Sequence, residues 1–529
     1  MYPEYNHIKE MAHSTASLLE TSKRMQDIFD VSTKKNAKKI AVVYRNAKGK
    51  KRFYTYSRSR AHTYVIASIL DNLMIQRPKN KPIVLKAANG PHWCEVFWAI
   101  LMCGYKPLLV DAKATKEGTE NLIKQAKAAA IITDDNYSYN IPKFSLNDIL
   151  ADKKYSTYGF SAKWENEVIF CSSGTTGDVK LMVYNGENLI NQIVAAYDMC
   201  ETTKDIFYPK RYGQMKMLSM LPLHHIFGFA ATFLWYFYLG ASFIFPKNNA
   251  PTEIQKACQD SKVTHVYCVP LFWDSLAQTI QRKKALLSES KQENIDKLIG
   301  YNTGKVDSDM AGPYKVTQKR VQKNLLGRNI RFCISGGGYL DGKTQTIING
   351  VGYPLYNGYG MTEIGVTSVE LTPDVVLRLR GSIGIPLHGV SYKILPQGND
   401  QNVGELLVKS PITHIREIIG GVEKEANVDK NGYFHTGDLG YIGEDGLIYF
   451  AQRLKRMIIT SGYNVYPSQV EEVLLKHEAV EKCAVIGIPD KNKGEIVKAF
   501  IVLKQGKDGL KKVTYKVKYK KKRVDFYYI

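Results

Sequence analysis

The stretch that says most about the fold runs from residue 172 to residue 180 and reads Ser172-Ser173-Gly174-Thr175-Thr176-Gly177-Asp178-Val179-Lys180. It lies between two short apolar runs that are typical of strands, Glu167–Cys171 and Leu181–Tyr184. Glycines and small hydroxyl residues let backbone N–H groups approach a phosphate, and the lysine adds a positive charge. No glycine precedes the lysine directly and no Ser or Thr follows it, so this is not a Walker loop. The stretch predicts a phosphate-binding loop, with a plain Gly/Thr hairpin turn as the alternative.

A second motif combines an aromatic ring, glycines, a hydroxyl group and a carboxylate, and reads Tyr356-Asn357-Gly358-Tyr359-Gly360-Met361-Thr362-Glu363. Tyr359 stands between two glycines and can present its face to a flat ring. Glu363 can bind a magnesium ion, and Thr362 can bind a phosphate oxygen. The alternative interpretation is a tyrosine-rich loop without a ligand.

Two further motifs follow in the last hundred residues. In Tyr433-Phe434-His435-Thr436-Gly437-Asp438 an acid follows a glycine turn, where its carboxylate can bind a ribose diol; the alternative is an Asx-type turn. The last motif consists of Arg453-Leu454-Lys455 and Ser461-Gly462-Tyr463-Asn464-Val465-Tyr466-Pro467. Its alternative is a solvated basic linker and a polar turn.

The patterns between these motifs indicate the fold class. Short β runs alternate with helical patterns up to about Ser382, which favours α/β layers with largely parallel sheets. Closely spaced glycines then indicate a β-rich subdomain. We predict an α/β protein in which residues 1–452 form a large N-terminal domain of layered α/β subdomains plus the β-rich subdomain. Residues 453–529 would form a small, mobile C-terminal α+β domain.

Particular elements can be placed from the patterns alone. The clearest strand patterns are Ile83–Leu85, Pro107–Val110, Ala130–Thr133, Val263–Val269, Cys483–Ile488 and Val497–Leu503. The clearest helix patterns are Trp93–Met102, Thr115–Ala128, Thr252–Ser261 and Ser468–His477.

The composition excludes several classes of protein. The 529 residues, 44% of them hydrophobic and 23% charged, are too many for one core and unlike a disordered, collagen-like or disulfide-framed chain. The net charge is +23, from 73 Lys and Arg against 50 Asp and Glu. These cations are spread along the chain, which favours a lysine-rich composition over a nucleic-acid surface. Only Lys504–Arg523 is a dense basic run, so we expect no nucleic-acid partner.

The compartment is predicted from cysteines and hydropathy. Eight cysteines without a C-x-x-C pair indicate reduced thiols and no zinc site. Leu221–Pro246 lacks formal charge and is long enough to span a bilayer, but Gly240 interrupts it. We expect a buried helix there, followed by a buried strand, Ala241–Phe245. The first twenty residues contain no apolar signal core. These features predict a cytoplasmic protein with at most peripheral membrane contact.

In this order, the motifs resemble the adenylate-forming superfamily: acyl-CoA synthetases, adenylation domains of peptide synthetases and beetle luciferases. The resemblance extends from about Met25 to Ile529 and looks nearest to fatty acyl-CoA ligases. It includes Ser335-Gly336-Gly337-Gly338 after a strand, Gly381-Ser382-Ile383-Gly384-Ile385-Pro386 and Gly404-Glu405-Leu406.

The resemblance implies a role for each matching residue. The phosphate loop would comprise Ser172, Ser173, Gly174, Thr175, Thr176, Gly177 and Lys180. Gly336, Gly337, Tyr359 and Gly360 would form the adenine site, with Tyr359 as the stacking ring. Thr362 would contact the α-phosphate, Glu363 would bind magnesium, and Asp438 and Arg453 would contact the ribose hydroxyls. Lys455 would be the hinge, Gly462 would lie in the loop that meets the thiol donor, and His225 would gate the acyl pocket.

The chain departs from the family pattern in three places. Val179 and Leu181 replace a usual proline and glycine, and Gln452 replaces the glycine before Arg453. The chain stops at Ile529, before the Gly-Lys loop whose lysine serves adenylation in the family. The resemblance therefore implies either a truncated small domain, with slowed adenylation, or another residue that takes the place of this lysine.

The expected function is ATP-dependent activation of a carboxylic acid through an acyl-adenylate, followed by transfer to coenzyme A. Its cofactors would be ATP, Mg²⁺ and coenzyme A. Gly360 and the apolar run Phe227–Tyr238 would leave room for a medium- or long-chain fatty acid, with an aryl acid second. An acyl carrier protein as acceptor, a catalytically weakened nucleotide- or acyl-binding homologue, and a nucleic-acid-binding protein are the alternatives.

Overall fold

The computed structural model describes residues 22–151, 157, 159–172, 179–202, 213–304, 311–397, 400–460, 463–477, 479–490 and 494–504. Among the residues with predicted roles, Ser173, Gly174, Thr175, Thr176, Gly177 and Gly462 lie outside these ranges. The basic run from residue 505 onward and the predicted truncation also lie outside them.

The described residues contain 25 strands. In chain order they are β1 Ile40–Arg45, β2 Lys51–Thr55, β3 Pro82–Lys86, β4 Lys106–Val110, β5 Ala130–Thr133, β6 Lys143–Phe144, β7 Glu167–Ser172, β8 Lys180–Asn185, β9 Lys216–Leu218, β10 Ser242–Ile244, β11 His265–Cys268, β12 Phe332–Ser335, β13 Leu355–Met361, β14 Gly365–Val369, β15 Ile385–Pro386, β16 Ser391–Gln397, β17 Asp400–Lys409, β18 Arg416–Ile419, β19 Val422–Glu425, β20 Phe434–Ile442, β21 Ile448–Arg453, β22 Ile458–Thr460, β23 Tyr463–Val465, β24 Val480–Asp490 and β25 Gly494–Leu503.

Helices alternate with the strands over most of the chain. They are α1 Met25–Lys35, α2 Tyr56–Leu73, α3 Trp93–Met102, α4 Lys116–Ala126, α5 Leu146–Ala151, α6 Gly186–Thr202, α7 Trp235–Tyr238, α8 Pro251–Ser261, α9 Pro270–Ala285, α10 Glu289–Asn302, α11 Ala311–Lys323, α12 Gly342–Gly350, α13 Val375–Arg378 and α14 Pro467–Leu475. A π-helix, Phe227–Leu234, continues directly into α7, and Leu454–Arg456 form a 3₁₀ turn.

The larger of two compact units contains two extended sheets. It comprises the described residues up to Val390 together with Ser410–Asn427. One sheet has nine strands in the order β15-β14-β13-β12-β11-β9-β10-β1-β2, and the other has eight in the order β19-β18-β8-β7-β4-β3-β5-β6. The inner pairs, such as β3 with β4 and β11 with β12, are parallel. Parallel pairs with helical crossovers confirm the predicted α/β class.

Aromatic side chains form much of the core of this unit. All ten residues of α3 are buried, as expected of a helix that is apolar on every side. Trp98 packs against Phe97, with ring centroids 5.0 Å apart, and against Phe237 at 5.4 Å. Each large side chain buried in this way contributes about 1.5–3 kcal/mol relative to its exposed state.

The uncharged run Leu221–Pro246 folds as predicted, into a buried helix and a buried strand. Residues 228–238 are buried, and β10 follows after Gly240, whose φ is +74°. In the part of the chain that the structure describes, no helix combines the length and apolar character needed to cross a bilayer.

The smaller unit comprises Ser391–Lys409 and the described residues from Val428 onward. Its strands form two four-stranded sheets, ordered β16-β17-β20-β21 and β23-β22-β25-β24. Beside the second sheet, the helix α14 contributes Val470 and Leu474 to a small hydrophobic core. The strands of that sheet contribute Val485 and Val497. The predicted α+β character of the C-terminal region is thereby confirmed.

The glycine-rich region after Ser382 divides between the two units. Strands β16, β17, β20 and β21 belong to the smaller unit, whereas β18 and β19 between them belong to the eight-stranded sheet of the larger unit. This grouping follows the packing of the strands. The boundary between residues 452 and 453 therefore stays a prediction.

Candidate active site

The predicted adenine-site residues lie together at the carboxyl ends of two adjacent parallel strands. Strands β12 and β13 pair with Ser335 opposite Asn357, so the glycines after Ser335 lie beside the segment that carries Tyr359. A Cβ atom on Gly336 would approach the Phe227 ring to 3.0 Å, and Gly337 has a φ of +76°. The carboxyl edge of a parallel sheet is the usual place for ligands in α/β folds.

Thr362 and Glu363 lie in the turn between the antiparallel strands β13 and β14. Met361 pairs with Gly365 across this hairpin, so the two predicted ligand residues occupy its tip. Both are partly exposed. The tip is therefore accessible while its flanking strands are held in the sheet.

The space beside Gly360 is filled by backbone, which corrects the expectation that Gly360 leaves room for an acyl chain. A Cβ atom on Gly360 would collide with the Gly365 carbonyl oxygen and come within 2.8 Å of Val366 Cα. Strand β14 occupies that position because β13 and β14 shift register next to Gly360. Glycine is required here by the close approach of two strands.

The apolar run Phe227–Tyr238 is mostly packed core, not the lining of a long pocket. Phe229 packs against Phe97 and Phe170, with ring centroids 5.0 and 5.2 Å apart, and is fully buried. Phe233 packs against the same cluster. Phe227 is the partly exposed exception, and its ring lies beside Gly336.

The residues on either side of the predicted phosphate loop form the antiparallel strands β7 and β8. Ser172 and Lys180 face each other across the antiparallel pair, and Ser172 is buried. The Nζ atom of Lys180 lies 3.5 Å from Glu417 Oε2. The strands on both sides of the loop are those predicted, and Lys180 carries its charge at the base of the loop.

Two adjacent histidines, His224 and His225, precede the π-helix. Only His225 has a predicted role, at the acyl pocket. The rings of His224 and His225 are 4.2 Å apart, and His224 Nε2 lies 4.0 Å from Asp111 Oδ2. Burial, and then the neighbouring His225, lower the pKa of His224 to about 4, while Asp111 opposes this shift. Desolvation also lowers the pKa of His225, which is the more exposed of the two. Both rings are therefore neutral at neutral pH.

The smaller unit holds the predicted ribose contacts as a cross-strand ion pair. Asp438 on β20 faces Arg453 on β21, with Arg453 Nε 2.9 Å from Asp438 Oδ1. The Asp438 side chain is 1% exposed, whereas that of Arg453 is 53% exposed. Lys455 lies two residues further on, in the 3₁₀ turn, where no side chain is buried.

Three side chains that sequence reasoning missed bind the backbone around the Thr362–Glu363 turn: Tyr184, Gln192 and His414. Tyr184 lies on β8, only four residues after Lys180, but its pattern in the sequence is that of an ordinary strand residue. His414 lies in the Ser410–Asn427 segment of the larger unit, just before β18. No spacing rule would have found either residue, because both reach the turn through tertiary contacts.

The donors near the turn fit a magnesium ion held mainly by substrate. Among the described residues, no group of three or more His, Cys, Asp or Glu could form a complete metal site. Magnesium is commonly bound by one or two carboxylates together with substrate phosphates. A single partly exposed carboxylate at Glu363 suits that mode. The magnesium ion bound there would neutralise negative charge on the phosphates.

The family described as AMP-binding enzyme matches residues 29–415, and the AMP-binding enzyme C-terminal domain matches residues 469–523. The chain belongs to the AMP-binding enzyme family.

Curated relatives are named as CoA ligases. The putative acyl-CoA ligase YdaB of Bacillus subtilis is 29% identical over 358 residues, which cover 66% of this chain and 59% of that protein. A 2-succinylbenzoate–CoA ligase of Bacillus mycoides is 25% identical over 82% of this chain and 80% of its own length. A long-chain-fatty-acid–CoA ligase of Bacillus subtilis is 29% identical over 64% of this chain and 53% of its own length.

Solved structures share the fold. The o-succinylbenzoate CoA synthetase MenE of Bacillus subtilis, in complex with its acyl-adenylate intermediate, aligns with a TM-score of 0.71 and 20% identity, covering 95% of this chain and 94% of that one. ATP-bound MatB of Rhodopseudomonas palustris aligns with a TM-score of 0.70, 20% identity and the same coverage. At this identity the likeness establishes the fold.

Proposed function

We propose that this protein is an AMP-forming acid–thiol ligase. A carboxylate oxygen of the acid attacks the α-phosphorus of ATP, and pyrophosphate leaves. A thiol sulfur then attacks the acyl carbonyl carbon of the adenylate, and AMP leaves. The observation that carries this proposal is the arrangement of Gly336, Gly337 and Tyr359 beside the Thr362–Glu363 turn at one sheet edge.

The proposed residue roles follow the charge that the reaction must stabilise. Glu363 would bind the magnesium ion, and Thr362 would donate to the α-phosphate. Lys180 and the residues 173–177 would neutralise the phosphates, with Ser172 at the base of the loop. Phosphoryl-type substitution depends mainly on positioning and charge neutralisation, so these groups suffice without a covalent intermediate on the protein.

The remaining proposed contacts belong to the nucleotide, the acid and the thiol. Tyr359 would stack on adenine, and Asp438 with Arg453 would bind the ribose hydroxyls. His225, neutral at neutral pH and next to the partly exposed Phe227, would contact the acid. Lys455 and Gly462 would serve the second half-reaction with coenzyme A.

The substrate that we propose is a fatty acid of medium or long chain, with an aryl acid as the second candidate. The first is supported by the fatty-acid ligase among the relatives, and the second by the 2-succinylbenzoate ligases. The buried aromatic cluster around Phe229 limits the room along the π-helix, which favours the shorter members of the fatty-acid class.

The test is a pyrophosphate-release screen over short-chain, fatty and aryl acids, each with and without coenzyme A, and with an acyl carrier protein as an alternative thiol. Thioester formation is read by mass spectrometry. The Glu363→Gln variant is the control for contaminating activity. Absence of acid-dependent pyrophosphate release from ATP would contradict the ligase proposal, and a preference for acetate over octanoate would contradict the fatty-acid proposal.

A further inference from the structure

The turn that carries Thr362 and Glu363 is bound through its backbone by side chains from other elements. The hydroxyl of Tyr184 on β8 donates to the Thr362 carbonyl oxygen at 2.7 Å. His414 binds the next carbonyl oxygen, that of Glu363, twice: its backbone N–H donates at 3.1 Å and its ring Nδ1 lies at 2.7 Å. Two consecutive carbonyls of the turn are thus held from outside the hairpin.

Because both acceptors are backbone carbonyl oxygens, Tyr184 and His414 must be the hydrogen-bond donors. A carbonyl oxygen only accepts, so His414 Nδ1 must carry the proton, and this bond selects the tautomer. The His414 side chain is 2% exposed. Burial, and next the Glu363 carboxylate, raise the pKa of Tyr184 well above its ordinary value, so its hydroxyl remains a donor at all working pH values.

A third side chain fixes the strand that leaves the turn. Gln192 on α6 accepts from Val366 N at 2.8 Å and donates to Val366 O at 3.2 Å. The Gln192 side chain is fully buried. The backbone carbonyl oxygen of Gln192 accepts a hydrogen bond from Trp235 Nε1. The start of β14 is therefore anchored to a helix in the core.

The same contacts connect the turn to the strand that follows the phosphate loop. Strand β18 pairs with β8, and Ile415 N donates to Val183 O at 2.9 Å, which places His414 beside Tyr184 with ring centroids 6.3 Å apart. Glu417 on β18 pairs with Lys180 at the base of the loop. One strand pair, β8 and β18, therefore carries both the Lys180–Glu417 ion pair and the side chains that bind the carbonyls of the turn.

We propose that Tyr184 and His414 are positioning residues that hold the Thr362–Glu363 turn in a fixed position relative to Lys180 on β8. The inference rests on the proposed function, in which Glu363 binds magnesium. Magnesium demands nearly ideal octahedral geometry, so a small displacement of its carboxylate weakens binding. Groups that orient a metal ligand typically contribute about 10- to 100-fold in metal affinity or activity.

The experiment compares His414→Ala, His414→Asn and Tyr184→Phe with the parent protein. An Asn amide can donate from nearly the same place as Nδ1, so His414→Asn tests rescue of the bond. His265→Ala is the matched control, because His265 is also a buried imidazole (1% exposed), hydrogen-bonded to Thr264, at the opposite end of β11 from the site. The measurements are magnesium dependence of ATP–pyrophosphate exchange and binding of Mn²⁺ with ATP by electron paramagnetic resonance.

The expected result is a 10- to 100-fold weaker Mn²⁺ affinity and a matching shift in the magnesium optimum for His414→Ala. Tyr184→Phe should give a smaller shift in the same direction, and His414→Asn should recover most of the loss. Binding of metal-free ATP, measured by calorimetry, should not change.

The Glu363→Gln variant distinguishes a failure of the proposed metal role of Glu363 from a failure of the positioning role of Tyr184 and His414. If it leaves Mn²⁺ affinity unchanged, the metal role of Glu363 is wrong and the inference fails with it. If Glu363→Gln weakens Mn²⁺ binding while His414→Ala and Tyr184→Phe shift it no more than His265→Ala does, the proposed function stands and the positioning role is overturned. Should His414→Ala fail to fold, His414→Asn and Tyr184→Phe decide the same question.

Discussion

Two hairpins carry the charged residues proposed to meet the nucleotide, and they hold those residues in different ways. In the β13–β14 hairpin, buried side chains of Tyr184 and His414 bind the backbone carbonyls of the turn. In the β20–β21 hairpin, the carboxylate of Asp438 itself is held, by an ion pair with the half-exposed Arg453. In the first hairpin, the hydrogen bonds hold the backbone from which the Glu363 side chain extends. In the second hairpin, the ion pair holds the Asp438 carboxylate itself.

The two carboxylates, Glu363 and Asp438, therefore differ in how freely their oxygens can bind a ligand. A carboxylate positioned through its backbone can adjust its oxygens to a metal ion, whereas one already paired with a cation must share its oxygens with incoming hydroxyl groups. Substitutions at the first hairpin should therefore act mainly on the rate and metal dependence of adenylation. Substitutions at the second should act mainly on nucleotide affinity.

The largest effect is expected at the tip of the first hairpin. Glu363→Gln removes the charge proposed to hold magnesium, and the loss of one stabilising group of this kind lowers the rate by about 100- to 1,000-fold. Single-turnover adenylation kinetics measure this loss. An adenylation rate within threefold of the parent protein would remove Glu363 from the metal site.

The next effect is expected at the carboxylate of the second hairpin. Asp438→Ala removes two charge-assisted hydrogen bonds to ribose, each worth about 1.5–3 kcal/mol, so ATP affinity should fall by about 100-fold or more. Calorimetric titration with ATP measures this, with circular dichroism as the check on folding. Arg453→Ala, which removes a half-exposed partner, is the control and should cost less than tenfold. Equal losses in the two variants would contradict the proposed division of roles.

The backbones of the two hairpins can be compared directly through their glycines. Gly360→Ala places a methyl group against the backbone of β14 and should destabilise the larger unit by about 1–3 kcal/mol, as overpacking does. Gly437 has open space around its Cβ position but a φ of +68°, so Gly437→Ala should cost only about 1–2 kcal/mol of backbone strain. Urea unfolding of each variant measures the difference. A Gly360→Ala protein as stable as the parent would show that the hairpin can spread.

The smallest effect near neutral pH concerns His224, which lies outside both hairpins. Its pKa is about 4 in the folded protein against an ordinary 6.5, so between these values the unfolded chain binds a proton that the folded chain does not. Stability should therefore fall as the pH drops from about 6.5 to about 4, by less than about 1 kcal/mol at pH 6. His224→Asn should remove this part of the pH dependence, as thermal unfolding between pH 7 and pH 5 would show. Parallel pH profiles for the parent and variant would contradict the assigned shift.

Many helices and strands were predictable because they depend on the local spacing of apolar residues. The predicted helix Trp93–Met102 and strand Ala130–Thr133 have those bounds in the structure, and the helix predicted over Thr252–Ser261 begins one residue earlier. Apolar residues at strand or helix spacing must face a core wherever that core lies. The apolar runs Glu167–Cys171 and Leu181–Tyr184 likewise lie within strands, β7 and β8.

The expectation about the acyl pocket failed for a physical reason. An absent side chain at Gly360 was taken to mean free space, but a missing Cβ is also what two strands require in order to approach closely. The uncharged run from Phe227 was taken to line a cavity, but its aromatic rings fill the core around Phe97. Composition shows that a residue is small or apolar, and does not show what lies opposite it.

The sequence by itself determined the α/β class, the order of the motifs and the chemical groups they offer, because periodicity and turn chemistry act over a few residues. The tertiary structure alone decided that Tyr184 and His414 meet at one turn, since 230 positions separate them in the chain. It also decided that β18 and β19 join the eight-stranded sheet while their neighbours β17 and β20 pair in the smaller unit. Such contacts depend on which strands pair across long distances, and strand pairing is a property of the packed molecule that no local pattern encodes.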